Sequence, residues 1–580
     1  MSVDSELQEM EGKLLQLLES GSEDEQILNV LEQFNTQNAM TVNFPSTKDS
    51  QTQEIIAALC QKLGEKRSAR CNSECLKTIR IFSRDTVLAD VLALDSTLTL
   101  LMTHAWFHQT AEESDKITTL KDEDTEVIIE AQKCLCNIIY NSKKAQHICS
   151  VNGCIEGVIQ RMKTYKDANL KHDIKYFDMR LLFLLSALVP ETRQRIHFEL
   201  HGFSYLMEII DLLLHDAEER KTGLTDQEVD LCCEVLKILF NLTMSLKMKS
   251  LDEEEDGHLM RLISVLRELL LCKTESNDRK EELVSHTVNL LTNVPATSYE
   301  QLLTPLTDSG ADSVTKDNET EGKNMESIVV LLNFLHQRLR KVSREQDKDI
   351  QNIVEPAPHN TETKLHSKPP CSMSDNLTPI LHCLCEASRN NRSIRKFCRL
   401  KVLPPMRDEV RNLPEEGDTL RNRLCQLLTS LSPSIKHLVP DFLFTLCKEN
   451  VDRMIKYTGY GNCAGLLAER GLLMGGRGKM ASYSSESEDS ETEEYSELRP
   501  MVNPVTGRWE EERPKAIDNM SEEQKEYEAM KAVDLIHKLH EKGVIQPGCL
   551  GSDGRPTPIS HILQLTENIK IAPEASSDSD

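Results

Sequence analysis

The chain has 580 residues, 39% of them hydrophobic, so it can bury a large core and is not wholly disordered. Its formal net charge of −26 argues against nucleic-acid binding, which requires a basic surface, and suits a basic or amphipathic partner segment. Without a secretory signal or an apolar run of about 18 residues, we expect a cytoplasmic protein with no transmembrane segment and with reduced cysteines.

One pattern recurs along the first half: an apolar helix with a short polar residue about two thirds of the way along. Its aligned positions, at intervals of 56, 50, 54 and 52 residues, are Ile81, Asn137, Ala187, Asn241 and Asn293. Amphipathic stretches with apolar residues at i, i+3, i+4 and i+7 lie between them, and strand-like alternation is missing. The pattern predicts an all-α fold, a right-handed α-solenoid of armadillo/HEAT-like repeats over residues 1–302.

The recurrent asparagine is the first candidate binding feature. An amide inside an apolar helix must find a hydrogen-bond partner or carry a desolvation cost of about 1–3 kcal/mol. The last helix of each armadillo-like unit lines a concave groove, where asparagines can bond a ligand backbone. The alternative is that each amide bonds a neighbouring loop; for the set we favour the groove. Nearby cations and rings that extend it are Arg80, Phe177, Arg180 and Phe183.

The regular spacing breaks at residues 303–374. Polar, acidic and proline-containing segments at 303–325 and 341–374 predict disordered insertions around one helix of about 326–342. Helical repeats resume over 375–473. They contain a basic island, "RNNRSIRKFCRLK", in which Arg392, Arg395 and Lys396 can form a patch for a carboxylate terminus or an acidic helix. The alternative is an ordinary solvated face.

Residues 474–580 form a tail whose first part, acidic and serine-rich, predicts disorder. A capping box of Ser521 and Gln524 predicts one amphipathic helix of about 521–543. In the acidic part, Ser485 and Ser490 each have a glutamate at +3, the pattern that acidophilic kinases favour, so we expect both to be phosphorylated. A merely solubilising acidic run is the alternative.

The candidate enzyme and metal motifs do not have the residue spacing that these functions require. "MGGRGKM" lacks the first glycine and the Ser/Thr of a phosphate-binding loop. The C-x-C pairs Cys134/Cys136 and Cys383/Cys385 place their thiols about 200° apart on a helix, unlike the C-x2-4-C spacing of zinc sites. We therefore expect buried core thiols, no metal, no cofactor and no catalytic site.

Several stretches together resemble one known family. "KCLCNIIYNS", "IRKFCRLKVLPPMRD", "YTGYGNCAGLLAERGLL", "NPVTG" and "MSEEQKEYEAMK" occur in the order and spacing of the synembryn family, also called resistance to inhibitors of cholinesterase. The resemblance covers nearly the whole chain, and its glycine-rich segment is the most specific. Ser485 and Ser490 fall where the family carries phosphorylation sites.

The resemblance implies a guanine-nucleotide exchange factor and folding chaperone for heterotrimeric G-protein α subunits, GDP-bound or nucleotide-free. It implies that the groove receives the α subunit's C-terminal helix through Arg80, Asn137, Phe177 and Phe183. We extend this set with Arg180, Asn241, Asn293, Arg392, Arg395 and Lys396. The tail helix would grip the α subunit through Met530, Val533, Ile536 and Leu539. We expect a monomer that its partner recruits to the cell cortex or plasma membrane.

A generic armadillo-type adaptor or scaffold without exchange activity is the alternative function. Nuclear-import carriers of that kind use paired Trp and Asn on successive groove helices. Here the only tryptophans are Trp106 and Trp509, and neither lies on an Asn-bearing repeat helix.

Overall fold

The computed structural model describes residues 11–18, 24–44, 50–107, 121–167, 169–244, 253–306, 316–354, 373–430, 432–478, 483, 491–511 and 520–559. The chain divides into two compact units, Met1–Leu302 and Leu303–Asp580.

Helices make up the first unit. They are α1 Asp24–Gln37, α2 Ser50–Gly64, α3 Ala69–Phe82, α4 Thr86–Leu92, α5 Asp95–His104, α6 Asp122–Asn141, α7 Lys143–Val151, α8 Cys154–Met162, α9 His172–Leu188, α10 Thr192–Gln194, α11 Gly202–Arg220, α12 Asp226–Thr243, α13 Glu253–Leu271 and α14 Asn277–Leu291. A π-helix at Arg195–Glu199 and a 3-10 helix at Ala296–Leu302 complete the unit.

Five of these helices, α3, α6, α9, α12 and α14, form what we call the inner stack, in which each helix packs on the next. The aligned positions lie in the last turns of the first four, and Asn293 lies two residues beyond the end of α14. One or two further helices separate successive members. The predicted α-solenoid of armadillo/HEAT-like repeats is confirmed.

Side-chain caps mark where three of the five inner helices begin. Ser68 caps α3, Ser276 caps α14, and Thr225 forms a capping box with Glu228 at the start of α12. Each cap contributes about 1 kcal/mol by satisfying backbone N–H groups that have no partner inside the helix.

The core of α6 shows how the stack packs. Leu135, Ile138 and Ile139 are fully buried. Full burial of an aliphatic side chain contributes about 1.5–3 kcal/mol. Cys134 and Cys136 are also buried, and the Cys134 thiol donates to the Leu76 carbonyl at 3.1 Å, so both are core thiols, as predicted.

A buried polar cluster joins α6, α8 and α9. Asp178 on α9 is 0% exposed and accepts hydrogen bonds from Arg161 Nε at 2.7 Å, Gln132 Nε2 at 2.7 Å and the Tyr165 hydroxyl at 3.0 Å. Arg161 also donates to the Ala105 carbonyl at 2.6 Å. Because a buried charge is tolerated only when it is paired and hydrogen-bonded, this cluster fixes how the three helices pack.

His104, at the end of α5, makes the first unit sensitive to acid. Its Nε2 donates to the Leu63 carbonyl at 3.0 Å, and burial lowers the pKa of the imidazole below its ordinary value of 6.5. The unfolded chain therefore binds more protons than the folded chain just below pH 6.5, so His104 costs stability as the pH falls through that window. His104→Gln keeps a donor and should make the urea midpoint fall less between pH 6.5 and about 5.

The matched control is His215→Gln, since the His215 side chain is 66% exposed. It should leave the acid sensitivity of the midpoint unchanged. A parallel fall in the midpoints of the parent and His104→Gln would contradict the assignment.

The second unit is also mainly helical. Its helices are α15 Glu326–Val354, α16 Met373–Asn390, α17 Arg392–Val402, α18 Leu420–Leu427, α19 Pro433–Leu446, α20 Val451–Thr458, α21 Tyr460–Arg470, α22 Glu493–Leu498 and α23 Glu522–Glu541, with 3-10 turns at Lys316–Asn318, Asp408–Arg411 and Arg499–Met501. Short antiparallel strands pair as β1 Thr304–Pro305 and β2 Glu319–Thr320 with β3 Lys323–Asn324, β4 Val502–Asn503 with β5 Arg508–Trp509, and β6 Gly548–Leu550 with β7 Pro556–Pro558.

The structure corrects part of the predicted insertion over 303–374, of which residues 307–315 and 355–372 lie outside the described residues. Helix α15 continues past residue 342 to Val354. Residues 343–354 contain neither glycine nor proline, and the helix ends just before Glu355, whose α conformation Pro356 disfavours. The strands β1 to β3 also lie in this segment, where the sequence pattern indicates none.

Candidate partner-binding face

One surface of the inner stack repeats in every unit. Seven and four positions before each aligned residue, each helix carries two side chains that lie one turn apart on the same face. We call this surface the ladder face, and its pairs are Glu74/Lys77, Glu130/Lys133, Arg180/Phe183, Glu234/Lys237 and His286/Asn289.

Glu130 is shared by two cations from adjacent helices. It is 4% exposed, and its carboxylate lies 2.7 Å from Arg80 Nε and 2.9 Å from Lys133 Nζ. The Lys133 ammonium also lies 5.4 Å from the centre of the Phe177 ring. Two cations around one carboxylate leave a net charge of +1 at this step. A cleft of about 430 Å³ between α1 and α3 lies next to this group of charges, and Arg80 is one of its lining residues.

Glu234 repeats this arrangement on α12, the second helix after α6 in the inner stack. It is 3% exposed and pairs with Arg180 Nη1 at 3.1 Å and with Lys237. Both cations flank the half-buried Phe183 ring, with Arg180 Cζ at 5.4 Å and Lys237 Nζ at 5.1 Å from its centre. At these two steps the ladder face is therefore locally cationic and aromatic although the chain is acidic, whereas Lys77 at the first step lies between two carboxylates, Glu74 and Glu126.

Asn137 bonds within the stack. Its Nδ2 donates to Ser83 Oγ at 3.1 Å and to the Arg80 carbonyl at 3.3 Å, which ties α6 to the end of α3. The bond to Ser83 goes to the turn that directly follows α3, and the bond to Arg80 goes to the last turn of α3 itself. The donor side of this amide is therefore used by the preceding repeat.

The other two asparagines do the same. Asn241 is 7% exposed and donates to Ser186 Oγ at 3.0 Å. Asn293 donates to the Phe240 carbonyl at 2.9 Å and to Thr243 Oγ1 at 3.1 Å. All three amides thus reach back to the end of the preceding inner helix. The partner-contact role predicted for them stays a prediction.

Asn137→Ala should lower the free energy of unfolding by about 1 kcal/mol, because Ser83 and the Arg80 carbonyl lose a partner. The exposed Asn169→Ala is the matched control and should change it by less than about 0.5 kcal/mol. Urea denaturation of both variants provides the measurement. Full stability of Asn137→Ala together with weaker partner binding would contradict the structural role and favour direct contact.

The basic island lies on α17, in the second unit. Arg395 is 8% exposed and donates from Nη1 to the Ser388 carbonyl at 3.0 Å, so it binds the end of α16. Arg392 and Lys396 lie 3.6 and 3.4 Å from Glu321 Oε1. A hydrogen bond from Ser393, assisted by these two charges, lowers the pKa of Glu321. The sequence places all three basic residues together, but their internal partners are visible only in the structure.

Part of the acidic tail contacts the rest of the second unit, which corrects the predicted disorder from residue 474 at the described residues 474–478, 483 and 491–511. Tyr483 donates to Glu449 Oε1 at 3.3 Å, and its ring lies 4.6 Å from Arg395 Cζ. Residues 491–511, which we call the strap, then form α22, β4 and β5. Tyr495 of the strap is 5% exposed and lies under the Lys456 ammonium, so this segment does contribute a core residue.

The strap contains the motif "NPVTG" and packs against another motif of the family resemblance, "YTGYGNC", which lies earlier in the chain. Within "YTGYGNC", Tyr460 N donates to the Pro504 carbonyl at 2.8 Å and Gly461 N to the Val505 carbonyl at 2.9 Å. Gly459 adopts a φ of +75°, and a Cβ there would lie 2.9 Å from the Thr506 backbone. "YTGYGNC" and "NPVTG" are therefore docking partners. Paired glycines at their contact are the only sequence signal that indicates it.

The tail helix has the predicted cap and an open apolar stripe. Ser521 and Gln524 form the capping box, and no residue of α23 is buried. Met530 and Val533 are 68% and 46% exposed, whereas Ile536 and Leu539 are half-buried. Ser485 and Ser490 lie outside the described residues.

The sequence pattern did not indicate Lys133, Lys237, Glu130 and Glu234 as site residues of the ladder face. Their signal is a Glu-x-x-Lys pair at one fixed offset from three aligned positions, in "ECLK", "EAQK" and "EVLK". The ion pairs of the same two glutamates with Arg80 and Arg180 join residues 50 and 54 positions apart, so they are seen only once the helices are stacked.

Fold and contacts together define a helical-repeat protein that carries paired cations and half-buried aromatic rings along one face of its inner stack. The family model described as "Guanine nucleotide exchange factor synembryn" matches residues 75–555, and the chain belongs to this family. The resemblance found in the sequence is confirmed.

Similar relatives span the full chain. "Chaperone Ric-8A" of Xenopus tropicalis is 39% identical over 578 residues, covering 98% of this chain and 99% of the relative. "Chaperone Ric-8A" of Mus musculus is 36% identical over 565 residues, covering 97% and 98%. "Chaperone Ric-8" of Drosophila melanogaster is 34% identical over 603 residues, covering 97% and 98%.

Some solved structures resemble the chain distantly. One, described as "A conserved phosphorylation switch controls the interaction between cadherin and beta-catenin in vitro and in vivo", is 11% identical, covers 82% of this chain and 80% of that chain, and has a TM-score of 0.42. A score this low carries no argument about function.

Across the described residues, no single helix combines the length and apolar character needed to cross a membrane. Thr86–Leu92 and Asp95–His104 meet these criteria only as a pair, by length and composition, with an 87° bend between them.

Proposed function

We propose that this chain accelerates GDP release from heterotrimeric G-protein α subunits and chaperones their folding. The single observation that carries the binding part is the ladder face, where buried glutamates hold cations beside half-buried phenylalanine rings. Family membership supports the exchange activity, and the relatives' name, chaperone, supports the folding role.

The ligand of the ladder face is the C-terminal helix of the α subunit. A helix ends in partial negative charge and, at a chain terminus, in a carboxylate as well. Each shared glutamate leaves a net charge of +1, which suits such an end. The half-buried rings suit the apolar side of an amphipathic helix. We assign direct contact to Arg80, Phe177, Arg180 and Phe183.

Exchange needs no catalytic residue in this scheme. A protein that binds the nucleotide-free α subunit more tightly than the GDP-bound form shifts the equilibrium toward GDP release, by at most that difference in affinity. Holding the C-terminal helix would loosen the nucleotide site attached to it. The same contacts would cover apolar surface on an unfinished α subunit and limit its aggregation.

The three asparagines then act mainly as positioning residues. Their amides set the spacing between inner helices, and this spacing sets the distance between successive cations on the ladder face. A partner contact by Asn137, Asn241 or Asn293 would use the carbonyl side of the amide, since the donor side is bonded within the stack.

The tail helix α23 supplies a second contact. Because no residue of α23 is buried, Met530→Asp with Val533→Asp should leave the unfolding midpoint unchanged. The pair should weaken binding of the α subunit at least about tenfold, since charges replace two apolar contacts of about 1 kcal/mol each. Affinity by calorimetry tests this, and equal affinity for parent and variant would remove α23 from the interface.

The basic island is the docking site for a phosphorylated tail. Tyr483 lies against Arg395, only two residues before Ser485. A phosphate on Ser485 or Ser490 would bring about −1.5 to −2 charge to a patch with Arg392 and Lys396. Phosphorylation by an acidophilic kinase should raise exchange by the parent but not by Ser485→Ala/Ser490→Ala. Equal rates before and after phosphorylation would favour a merely solubilising acidic run.

We further propose that the chain acts as a monomer in the cytoplasm and reaches the cell cortex through its α subunit. Light scattering of the purified chain tests the oligomeric state, and a stable dimer would overturn that part. Imaging in cells with and without the α subunit tests the recruitment.

The direct test uses the purified chain and a GDP-loaded α subunit. The proposal predicts faster GDP release with the chain than without it, and a higher yield of nucleotide-binding α subunit in cell-free translation. An adaptor or scaffold, the alternative, would bind the α subunit and change neither quantity.

A further inference from the structure

The last junction of the inner stack brings together three side chains that can bind a metal. Cys233 lies on α12, and Glu282 and His286 lie on α14. One ligand atom from each, the thiol sulfur, a carboxylate oxygen and an imidazole nitrogen, lies within 4.8 Å of the other two. The cluster lies at the α14 end of the ladder face, where His286 occupies the position held by Glu130 and Glu234 in earlier helices.

The backbone explains why the three meet. Glu282 and His286 are four residues apart on one helix, so they lie on the same face, and α14 packs on α12. In the repeat register, the positions equivalent to Cys233 are Ser73, Ile129 and Met179. None of these three residues has a thiol. Among the contacts between neighbouring helices of the inner stack, only that between α12 and α14 therefore has a Cys, a Glu and a His at these positions.

The surroundings suit metal loading. His286 is half-buried, and its imidazole offers a nitrogen within 4.8 Å of the Cys233 sulfur and of a Glu282 oxygen. Glu282 Oε2 is 2.8 Å from Arg279 Nη1, and Arg279 is also held by Asp230 at 2.9 Å. This network orients the carboxylate and leaves its other oxygen for an ion, as outer hydrogen bonds do in metal sites.

We propose that Cys233, Glu282 and His286 form a site for a divalent ion of the zinc class. One sulfur, one nitrogen and one oxygen ligand match the preference of Zn²⁺, whereas Ca²⁺ and Mg²⁺ prefer oxygen ligands alone. Three protein ligands leave the fourth tetrahedral position to water, and the exposed Glu282 gives access from solvent. Binding would link α12 to α14 and so fix the last step of the ladder face.

Loading the site displaces one proton. A cysteine binds a metal as its thiolate. When the sulfur–metal bond forms, the S–H bond breaks and the proton passes to solvent.

The test uses the full-length, reduced, chelator-treated chain. Titration with Co²⁺ should give thiolate-to-cobalt absorption at one ion per chain, and Zn²⁺ should displace the Co²⁺. Cys233→Ala should abolish this absorption. Glu282→Gln and His286→Gln, which keep polar side chains of similar size, should weaken Zn²⁺ binding in a chelator competition at least about tenfold.

Cys232→Ala is the matched control, since it removes a neighbouring buried thiol from the same helix and lowers the thiol count equally. It should bind Co²⁺ and Zn²⁺ as the parent does. The proposal is overturned if Cys233→Ala, Glu282→Gln and His286→Gln all keep the parent's stoichiometry and affinity. It is also overturned if Cys232→Ala loses the same ion, since that would show adventitious binding by thiols elsewhere.

Discussion

Asp178→Ala is expected to lower the free energy of unfolding of the first unit by about 3–5 kcal/mol, the usual effect of removing one member of a buried ion pair. Arg161 is 4% exposed and would keep its charge without its carboxylate partner. Gln132 Nε2 and the Tyr165 hydroxyl would lose an acceptor at the same time. Chemical denaturation followed by circular dichroism measures the change.

The surface pair Arg261–Asp211 is the matched control. It also joins an arginine and an aspartate on different helices, but the Arg261 side chain is 57% exposed. Asp211→Ala should therefore cost less than about 1 kcal/mol. Arg161→Met combined with Asp178→Leu should recover much of the lost stability, because no unpaired buried charge remains. Equal effects of Asp178→Ala and Asp211→Ala would contradict the role given to the buried cluster.

Phe183→Ala is expected to weaken binding of the α subunit's C-terminal helix by about 2 kcal/mol, or about 30-fold in Kd. The ring lies between Arg180 and Lys237, so its loss removes apolar contact area and also frees both cations to move. Stimulated GDP release should fall with the affinity. Peptide binding by calorimetry and a GDP-release assay measure the two effects on the same preparation.

Phe198→Ala provides the control for that substitution. Phe198 is 41% exposed on the π-helix, away from the ladder face, so its removal tests the general loss of an aromatic side chain. It should leave peptide affinity and GDP release unchanged. If Phe183→Ala and Phe198→Ala behave alike, the ladder face is not the binding surface.

The inner stack could be predicted from the sequence because it depends on repetition. An apolar helix with a marked polar position recurs at nearly constant intervals, so Asn137 and Asn241 fall at equivalent places without knowledge of the fold. The direction of the amides could not be predicted. An asparagine can bond a partner or its own scaffold, and only the packed helices place Ser83 and Ser186 within reach.

The second unit was harder to predict for a different reason. Its strap is held by backbone hydrogen bonds such as that from Tyr460 N to Pro504 O, and any residue but proline can donate one. Acidic composition therefore predicts disorder in a segment where a single ring, Tyr495, gives enough burial to anchor α22. Side-chain patterns reveal packing between periodic helices but not docking of this kind.

GDP release from an intact α subunit, compared with one that lacks its C-terminal residues, tests the central claim most directly. Binding of the C-terminal helix to the ladder face predicts that the chain accelerates release from the intact subunit and has little effect on the truncated one. Phe183→Ala should reduce the acceleration of the intact subunit and change nothing for the truncated one. Equal acceleration of both subunits by the parent chain would contradict the claim.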